Sequence, residues 1–394
     1  MSPDPGPYLR RYVSELRQSN AIRLAAVEQA FLTVPRHLFL SKFYHCTSST
    51  QSAEDAFVLH GPSNTIEDEW EVIYSDRALV TQLRNRRPSS SASKPSLVAR
   101  MLEYLELRAG MRVLEIGTGT GYNAALLAVL VGDQQSVVTL DVSAELVARA
   151  RSALTASGYP GVRVYVRDGF YGDPERGPYD RIVATVGCPD LSPHWVGQLA
   201  KTGIMLIPLE HAGHHPLIRI WTESGHVRGR IVEWTGFVRI AGRLEGSGPA
   251  CRRLALRDDW TRLAQEGLIR EHALWEGYGA GPRLPGVPWG SRAVDLFFFL
   301  SLRDARATWT PWGFGLVDSE GGWALVSDDR IYSCGDQQPV RDLKQLYEEW
   351  EVSGAPGIFD YEMEFVPQKR VRAGTPPGAH VVTRRFFQQQ VSVP

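Results

Sequence analysis

The residues with the clearest capacity for chemistry lie in one short stretch, Glu115-Ile116-Gly117-Thr118-Gly119-Thr120-Gly121, which closes an apolar run and opens a helical pattern. Glycines at such a turn let the backbone approach a ligand in the crevice beyond the strand ends of an α/β sheet. The spacing is GxGxG, whereas a dinucleotide fingerprint reads GxGxxG, and no Lys-Ser/Thr follows as a P-loop requires. Asp141 ends the next strand-like run about twenty residues on, where a carboxylate can accept both ribose hydroxyls. Asp168-Gly169 follows the third run, within reach of an adenine amino group, and Glu115 offers negative charge near a ligand's cationic end. Three strand-end carboxylates without a basic phosphate clamp suit a nucleoside lacking phosphates. They point to S-adenosylmethionine rather than NAD, against the plainer reading of three unrelated acids that cap helices.

Two further groups carry reactive side chains. Ser93 closes the serine-rich stretch 89–93 just before Pro95, which suits a first helical position. Its hydroxyl, with the free amides of that helix, could receive a carboxylate; a simple capping serine is the alternative. Glu210-His211-Ala212-Gly213-His214-His215 clusters metal-ligand types. One short loop would have to supply every ligand there, so we expect no metal and a polar loop near the active-site mouth.

The elements that must position these groups read clearly between residues 95 and 242. Leu97, Val98, Met101, Leu102 and Leu105 trace one helical face, followed by strands near 111–116, 136–140, 162–166, 181–186 and 204–208. Helices intervene through 124–131 and after the capping residue Ser143, and 217–221 and 230–238 add later strands. Alternating βαβ units require a doubly wound, mostly parallel sheet. Residues 8–43 read as helical, and 44–73 as a long polar surface insertion. Beyond Gly246-Ser247-Gly248-Pro249 the pattern changes to a tryptophan-rich α+β region with strand-like runs at 296–302, 313–317 and 323–326 and a helix through 340–350. Its tryptophans read as core residues. The expected organisation is an N-terminal helical segment (1–94), a cofactor-binding core (95–243) and an accessory domain (250–394).

Composition narrows the partners. With 43 basic and 44 acidic residues the formal charge is −1, which gives no field to attract a phosphate backbone and argues against nucleic acid. Arg84, Arg86 and Arg87 read as a solvated local run. No apolar stretch approaches the ~20 residues that span a bilayer, and no signal peptide is visible, so a soluble cytoplasmic protein is expected. The four cysteines form no CxxC pair, which argues against zinc and disulfides and for buried small side chains. Oligomeric state is not readable.

Ser93-Lys94-Pro95-Ser96-Leu97-Val98-Ala99-Arg100-Met101 and Arg112 through Tyr122 resemble the protein-L-isoaspartate O-methyltransferase family. So do Val34-Pro35-Arg36 with Phe39, Tyr74-Ser75-Asp76, Asp168-Gly169, Pro178-Tyr179-Asp180 and Ile207-Pro208, in unbroken order over roughly residues 20–243. The resemblance implies a class I methyltransferase fold. It also implies S-adenosylmethionine held by Glu115, Gly117, Thr118, Gly119, Gly121, Asp141, Asp168 and Gly169, and methyl transfer to a carboxylate. It makes Ser93 the active-site serine and sets Asp76 beside the substrate groove.

Three departures colour this expectation. The stretch before Ser93 is rich in arginine and serine rather than glycine, residues 44–73 replace a short connection, and the chain continues about 150 residues past the strand where repair enzymes end. The resemblance is therefore closest to longer homologues that accompany ribosomally made, modified peptides such as graspetides, lanthipeptides and lasso peptides. That branch methylates Asp in a cyclised precursor, and the ester then closes to an aspartimide. An isoaspartyl repair enzyme with an accessory domain, and a catalytically idle cofactor-binding adaptor, are the alternatives.

Overall fold

A computed structural model describes residues 4–46, 57–60, 67–84, 87–246, 263, 266–273, 289–310, 313–318, 321–327, 330–371 and 378–394. Two compact units emerge. One comprises residues 1–208, 219–222 and 237–245, and the other 209–218, 223–236 and 246–394.

In the first unit, helices α1 (Gly6–Gln18) and α2 (Ala25–Thr33) precede a four-stranded sheet of β1 (Phe43–Cys46), β2 (Phe57–His60), β3 (Leu79–Arg84) and β4 (Arg87–Ala92), ordered β2-β1-β3-β4. Helix α3 (Glu67–Ile73) lies between β2 and β3 in the chain. The expected structureless insertion is therefore partly built. β1 and β2 pair antiparallel with Phe43 opposite His60, and Phe43, Trp70 and Ile73 bury apolar surface that an open loop would leave in water.

Helix α4 (Pro95–Tyr104) then leads into β5 (Val113–Ile116), α5 (Tyr122–Val131), β6 (Val137–Asp141), α6 (Ala144–Ala156), β7 (Arg163–Val166), β8 (Tyr179–Ala184), α7 (Pro193–Gln198) and β9 (Leu199–Pro208). Within this unit the strands run β9-β8-β5-β6-β7, all parallel. This is the class I methyltransferase arrangement. The order reverses beside β5, so the loop after that strand opens at the switch point, where ligands of doubly wound sheets bind. β5 is buried along its whole length and α5 is apolar on every side, as elements covered on both faces must be. The Ser143 hydroxyl accepts from the Leu146 amide at 3.3 Å and starts α6, whose Leu146, Val147, Ala150 and Leu154 turn inward.

Strand β10 (Leu217–Glu223) follows β9 in the chain; in the second unit, β11 (His226–Glu233) pairs antiparallel with β17 (Glu362–Pro367), which pairs with β19 (Phe387–Ser392), itself beside β18 (His380–Thr383). The strand expected at 230–238 thus begins earlier and belongs to an antiparallel ribbon. Strands β12 (Arg270–Ala273), β13 (Ala307–Thr310), β14 (Gly313–Val317), β15 (Trp323–Ser327) and β16 (Arg330–Cys334) form a second antiparallel sheet. Helices α8 (Trp289–Arg303) and α9 (Gln338–Val352) share a core with it through Phe297, Leu300, Leu343 and Trp350. The run at 296–302, read as strand-like, is helical. Phe297, Phe298, Phe299 and Leu300 are all buried, and a short continuous apolar run has the same pattern in a buried helix as in a buried strand.

The histidine loop is a second correction. His211 and His215 are buried, and His214 stacks on Trp234 with ring centroids 5.2 Å apart, so the loop is packed against aromatics rather than an open polar rim. Among the described residues no three or more His, Cys, Asp or Glu side chains are grouped to hold a metal ion, and no helix is long and apolar enough to cross a membrane. Cys188 is buried and Cys334 half-buried; the side chains of Cys46 and Cys251, and Ser247-Gly248-Pro249, lie outside the described residues.

Candidate active site

The glycine loop after β5 is a backbone device. Gly117 has φ +101°, and a Cβ there would lie 2.8 Å from Thr185 Oγ1 and 2.9 Å from Val186 Cγ1. Thr185 closes the turn by donating to the Gly117 carbonyl at 2.6 Å. Gly121, with φ +85°, caps α5, and its Cβ position would press on Ala150 at 3.2 Å. Gly119 has φ +53°, and a Cβ there would make ordinary van der Waals contact with Ser90 Oγ and Ser91 O of β4 at 3.8 Å. The loop amides are tied down within the unit: those of Gly117 and Thr118 donate to the Leu140 carbonyl and that of Gly121 to the Thr118 carbonyl.

Asp141 stands beside Gly119. One carboxylate oxygen accepts from the Gly119 amide at 3.2 Å and the other from the Ser143 amide at 3.0 Å. Burial pushes its carboxyl up from the ordinary range, and the backbone hydrogen bonds oppose the rise. Val142, 42% exposed, presents apolar surface immediately after Asp141; sequence reasoning overlooked it, although an apolar residue following the strand-end acid was the available signal. Thr118 and Thr139 share a buried hydroxyl contact of 2.8 Å. Glu115 is 0% exposed: Asn123 donates to Oε1 at 2.7 Å, while Oε2 is buried without a partner. Burial pushes this carboxyl up to about 7, opposed by the Asn123 hydrogen bond. An orphaned carboxylate oxygen under a glycine cradle fits a ligand that brings positive charge, as S-adenosylmethionine does.

Asp168, expected at the adenine end of the cofactor, is fixed by the backbone. Its two oxygens accept from the Phe170 amide at 2.9 Å and the Arg243 amide at 2.8 Å, tying the turn after β7 to residues 242–243. Gly242, at φ +92°, passes so close that a Cβ would lie 2.7 Å from the carboxylate. Gly169 packs on Ile116, where a Cβ would approach Cγ2 to 2.5 Å.

The second wall of the site joins residues far apart in sequence. Asp76 accepts from the Ser96 amide at 2.7 Å and pairs with Lys94 Nζ at 3.3 Å. It thereby caps α4 from outside the helix. The Leu97 and Val98 amides bond to the Lys94 carbonyl, and Pro95 has none, so the free helix amides expected to help Ser93 are already occupied. Ser93 itself is half-buried, and its hydroxyl makes no hydrogen bond among the described residues. Its carbonyl, with that of Ala92, accepts from Arg36 at 3.1 and 3.3 Å. Arg36 is 0% exposed and also donates to the carbonyls of Ile73, Ser75 and Arg77 at 2.9, 3.3 and 2.9 Å. The sequence marks Arg36 only within Val34-Pro35-Arg36, and nothing local to it signals these partners.

The family model for protein-L-isoaspartate(D-aspartate) O-methyltransferase matches residues 64–245. A Thermotoga maritima protein named protein-L-isoaspartate O-methyltransferase is 32% identical over 339 residues, covering 86% of this chain and 90% of its own length. An Archaeoglobus fulgidus relative named protein-L-isoaspartate O-methyltransferase 2 is 34% identical over 216 residues, 55% of this chain and 85% of the relative. A solved structure titled protein-L-isoaspartate O-methyltransferase superposes with a TM-score of 0.52 at 24% identity, covering 90% of this chain and 96% of that one, which supports the fold. The chain belongs to the protein-L-isoaspartate O-methyltransferase family of S-adenosylmethionine-dependent carboxyl methyltransferases.

Proposed function

We propose that this enzyme methylates the free carboxylate of isoaspartyl residues in peptides or proteins. The observation that carries the reading is the Thermotoga maritima relative, which bears that activity in its name and aligns over 86% of this chain. An alignment of that extent must run well past Glu245, so a long C-terminal region does not by itself mark a different substrate. That removes the main argument for a dedicated precursor peptide.

In this reading Gly117, Gly119 and Gly121 cradle the cofactor with their backbone, Asp141 receives the ribose hydroxyls, and Val142 flanks the base. Thr118 and Glu115 support the loop from below, with Glu115 facing the positive charge. Asp168 and Gly169 hold the adenine-side turn in place. When bound, the cofactor supplies an electrophilic methyl group on a sulfonium. The substrate carboxylate is ionised at neutral pH, so the chain needs no strong general base and acts by alignment and exclusion of water. Ser93 is suited to donate its unengaged hydroxyl to a carboxylate oxygen. Asp76 serves as the cap that fixes α4 behind it, which is a supporting rather than a reacting role.

A second reading is methylation of Asp in a cyclised precursor peptide, with later closure to aspartimide. The serine-rich β4 that replaces a glycine-rich stretch beside the loop favours it, since it changes the surface nearest Ser93. The two readings separate when the enzyme and S-adenosylmethionine are incubated with an isoaspartyl peptide, its aspartyl counterpart and cyclic Asp peptides. Mass gain of one methyl on the isoaspartyl peptide alone is expected. Methyl gain followed by methanol loss on the cyclic peptides alone would replace the first reading by the second.

A further inference from the structure

Arg36 is a buried cation whose partners are five neutral carbonyls, and among the described residues no carboxylate lies within ion-pair distance of it. Charges this deep are ordinarily paired, because desolvation costs several kcal/mol per ion. Here the hydrogen bonds divide between two chain segments. Ile73, Ser75 and Arg77 flank Asp76, while Ala92 ends β4 and Ser93 follows it. A guanidinium is planar and presents its donors in a fixed fork, so segments that share one are held at a set separation. Arg36 follows Pro35, whose ring restricts the backbone, and begins a short 3-10 turn that ends at the buried Phe39. Phe39 in turn lies 5.6 Å from the Tyr122 ring at the start of α5, directly after the glycine loop. The fork is thus anchored to the cofactor side of the unit while it grips the Ser93 side.

We propose that Arg36 is the positioning residue of this methyltransferase: its fork fixes the Ser93 end of β4 against the Asp76 loop, and so sets where a substrate carboxylate meets the methyl group. The inference rests on the proposed function, because it takes the Ser93 wall as the carboxylate's seat. Lysine keeps the charge but offers three donors from a point and cannot reach five carbonyls on two segments at once. Arg36→Lys therefore separates geometry from charge.

The test compares wild type, Arg36→Lys and Arg36→Ala as full-length proteins, using circular dichroism, S-adenosylhomocysteine affinity by calorimetry, and kcat and KM with an isoaspartyl peptide. Arg36→Lys is expected to lose on the order of 10- to 100-fold in kcat, the cost of misplacing reacting groups by about an ångström. Its affinity for S-adenosylhomocysteine should stay within about twofold of wild type. Millimolar methylguanidinium should restore part of the Arg36→Ala turnover while its circular dichroism and S-adenosylhomocysteine affinity stay unchanged by the addition; a merely structural role would move all three together. Wild-type kcat in Arg36→Lys overturns the proposal, as does a parallel loss of kcat and cofactor affinity. Failure of both variants to fold with the cofactor present also overturns it, since Arg36 would then serve the whole fold. Absence of methyl transfer by wild type instead strikes the functional reading itself, and the inference falls with it.

Discussion

The two walls of the proposed site are built on opposite principles. The glycine-loop wall is made of backbone: three residues at positive φ, neighbours too close for a Cβ at Gly117 and tight at Gly121, and the Gly119 amide turned to the adjacent Asp141 carboxylate. The Ser93 wall is made of side chains reaching across the sequence, with Asp76 capping a helix that starts nineteen positions later and Arg36 bonding carbonyls 37 to 57 residues away. A backbone wall is fixed by the βαβ unit that contains it. A side-chain wall can be retuned by single substitutions, which suits the part of an enzyme that faces variable substrates.

The contrast can be broken at defined places. The largest effect is expected from Gly117→Val, which combines a strained φ with overlap against Thr185 and Val186. It should weaken S-adenosylhomocysteine binding by more than about 100-fold by calorimetry; near-normal affinity would mean the loop is not held as described. Asp141→Ala removes a carboxylate suited to two hydroxyls and should cost about 10- to 100-fold in the same affinity, with kcat at saturating cofactor changed far less. Asp76→Ala removes a helix cap worth about 1 kcal/mol and should lower Tm by a few degrees while leaving cofactor affinity intact. Loss of affinity there would show that the walls are not independent.

A further effect, confined to a pH window, concerns Glu115. The Glu115 carboxyl is pushed up to about 7 in the fold, against its ordinary value of 4.5 in the unfolded chain. A raised carboxyl means the folded state holds the proton more tightly, so this contribution to stability is full below about 4.5 and lost as pH rises through about 7. Glu115→Gln, neutral throughout, should gain on wild type in Tm between pH 5 and pH 8 by a few degrees in the apo protein. A Tm difference that stays flat over this range would mean Glu115 is not held neutral.

The backbone wall was legible in the sequence for the reason it is robust. Gly117, Gly119, Gly121 and Asp141 carry their meaning in local spacing, and β5, α5, β6 and α6 repeat a short pattern that admits one topology. The side-chain wall was legible only as a resemblance. Nothing local to Arg36 announces that its partners are carbonyls, because any residue supplies a carbonyl, and nothing near Asp76 announces that Ser96 needs a cap. The C-terminal unit was harder still. Leu296 to Leu300 has no periodicity to divide helix from strand, and His211 to His215 reads as polar by composition although its neighbours Trp234, Phe297 and Trp309 surround His214 with aromatic rings.

The division of labour between the walls is tested most directly by Ser93→Ala, with kcat on an isoaspartyl peptide and S-adenosylhomocysteine affinity measured on the same preparation. The account predicts that kcat falls by about tenfold or more while the affinity stays within about twofold. Unchanged turnover, or an affinity that falls with it, would contradict a carboxylate-receiving wall separate from the cofactor cradle.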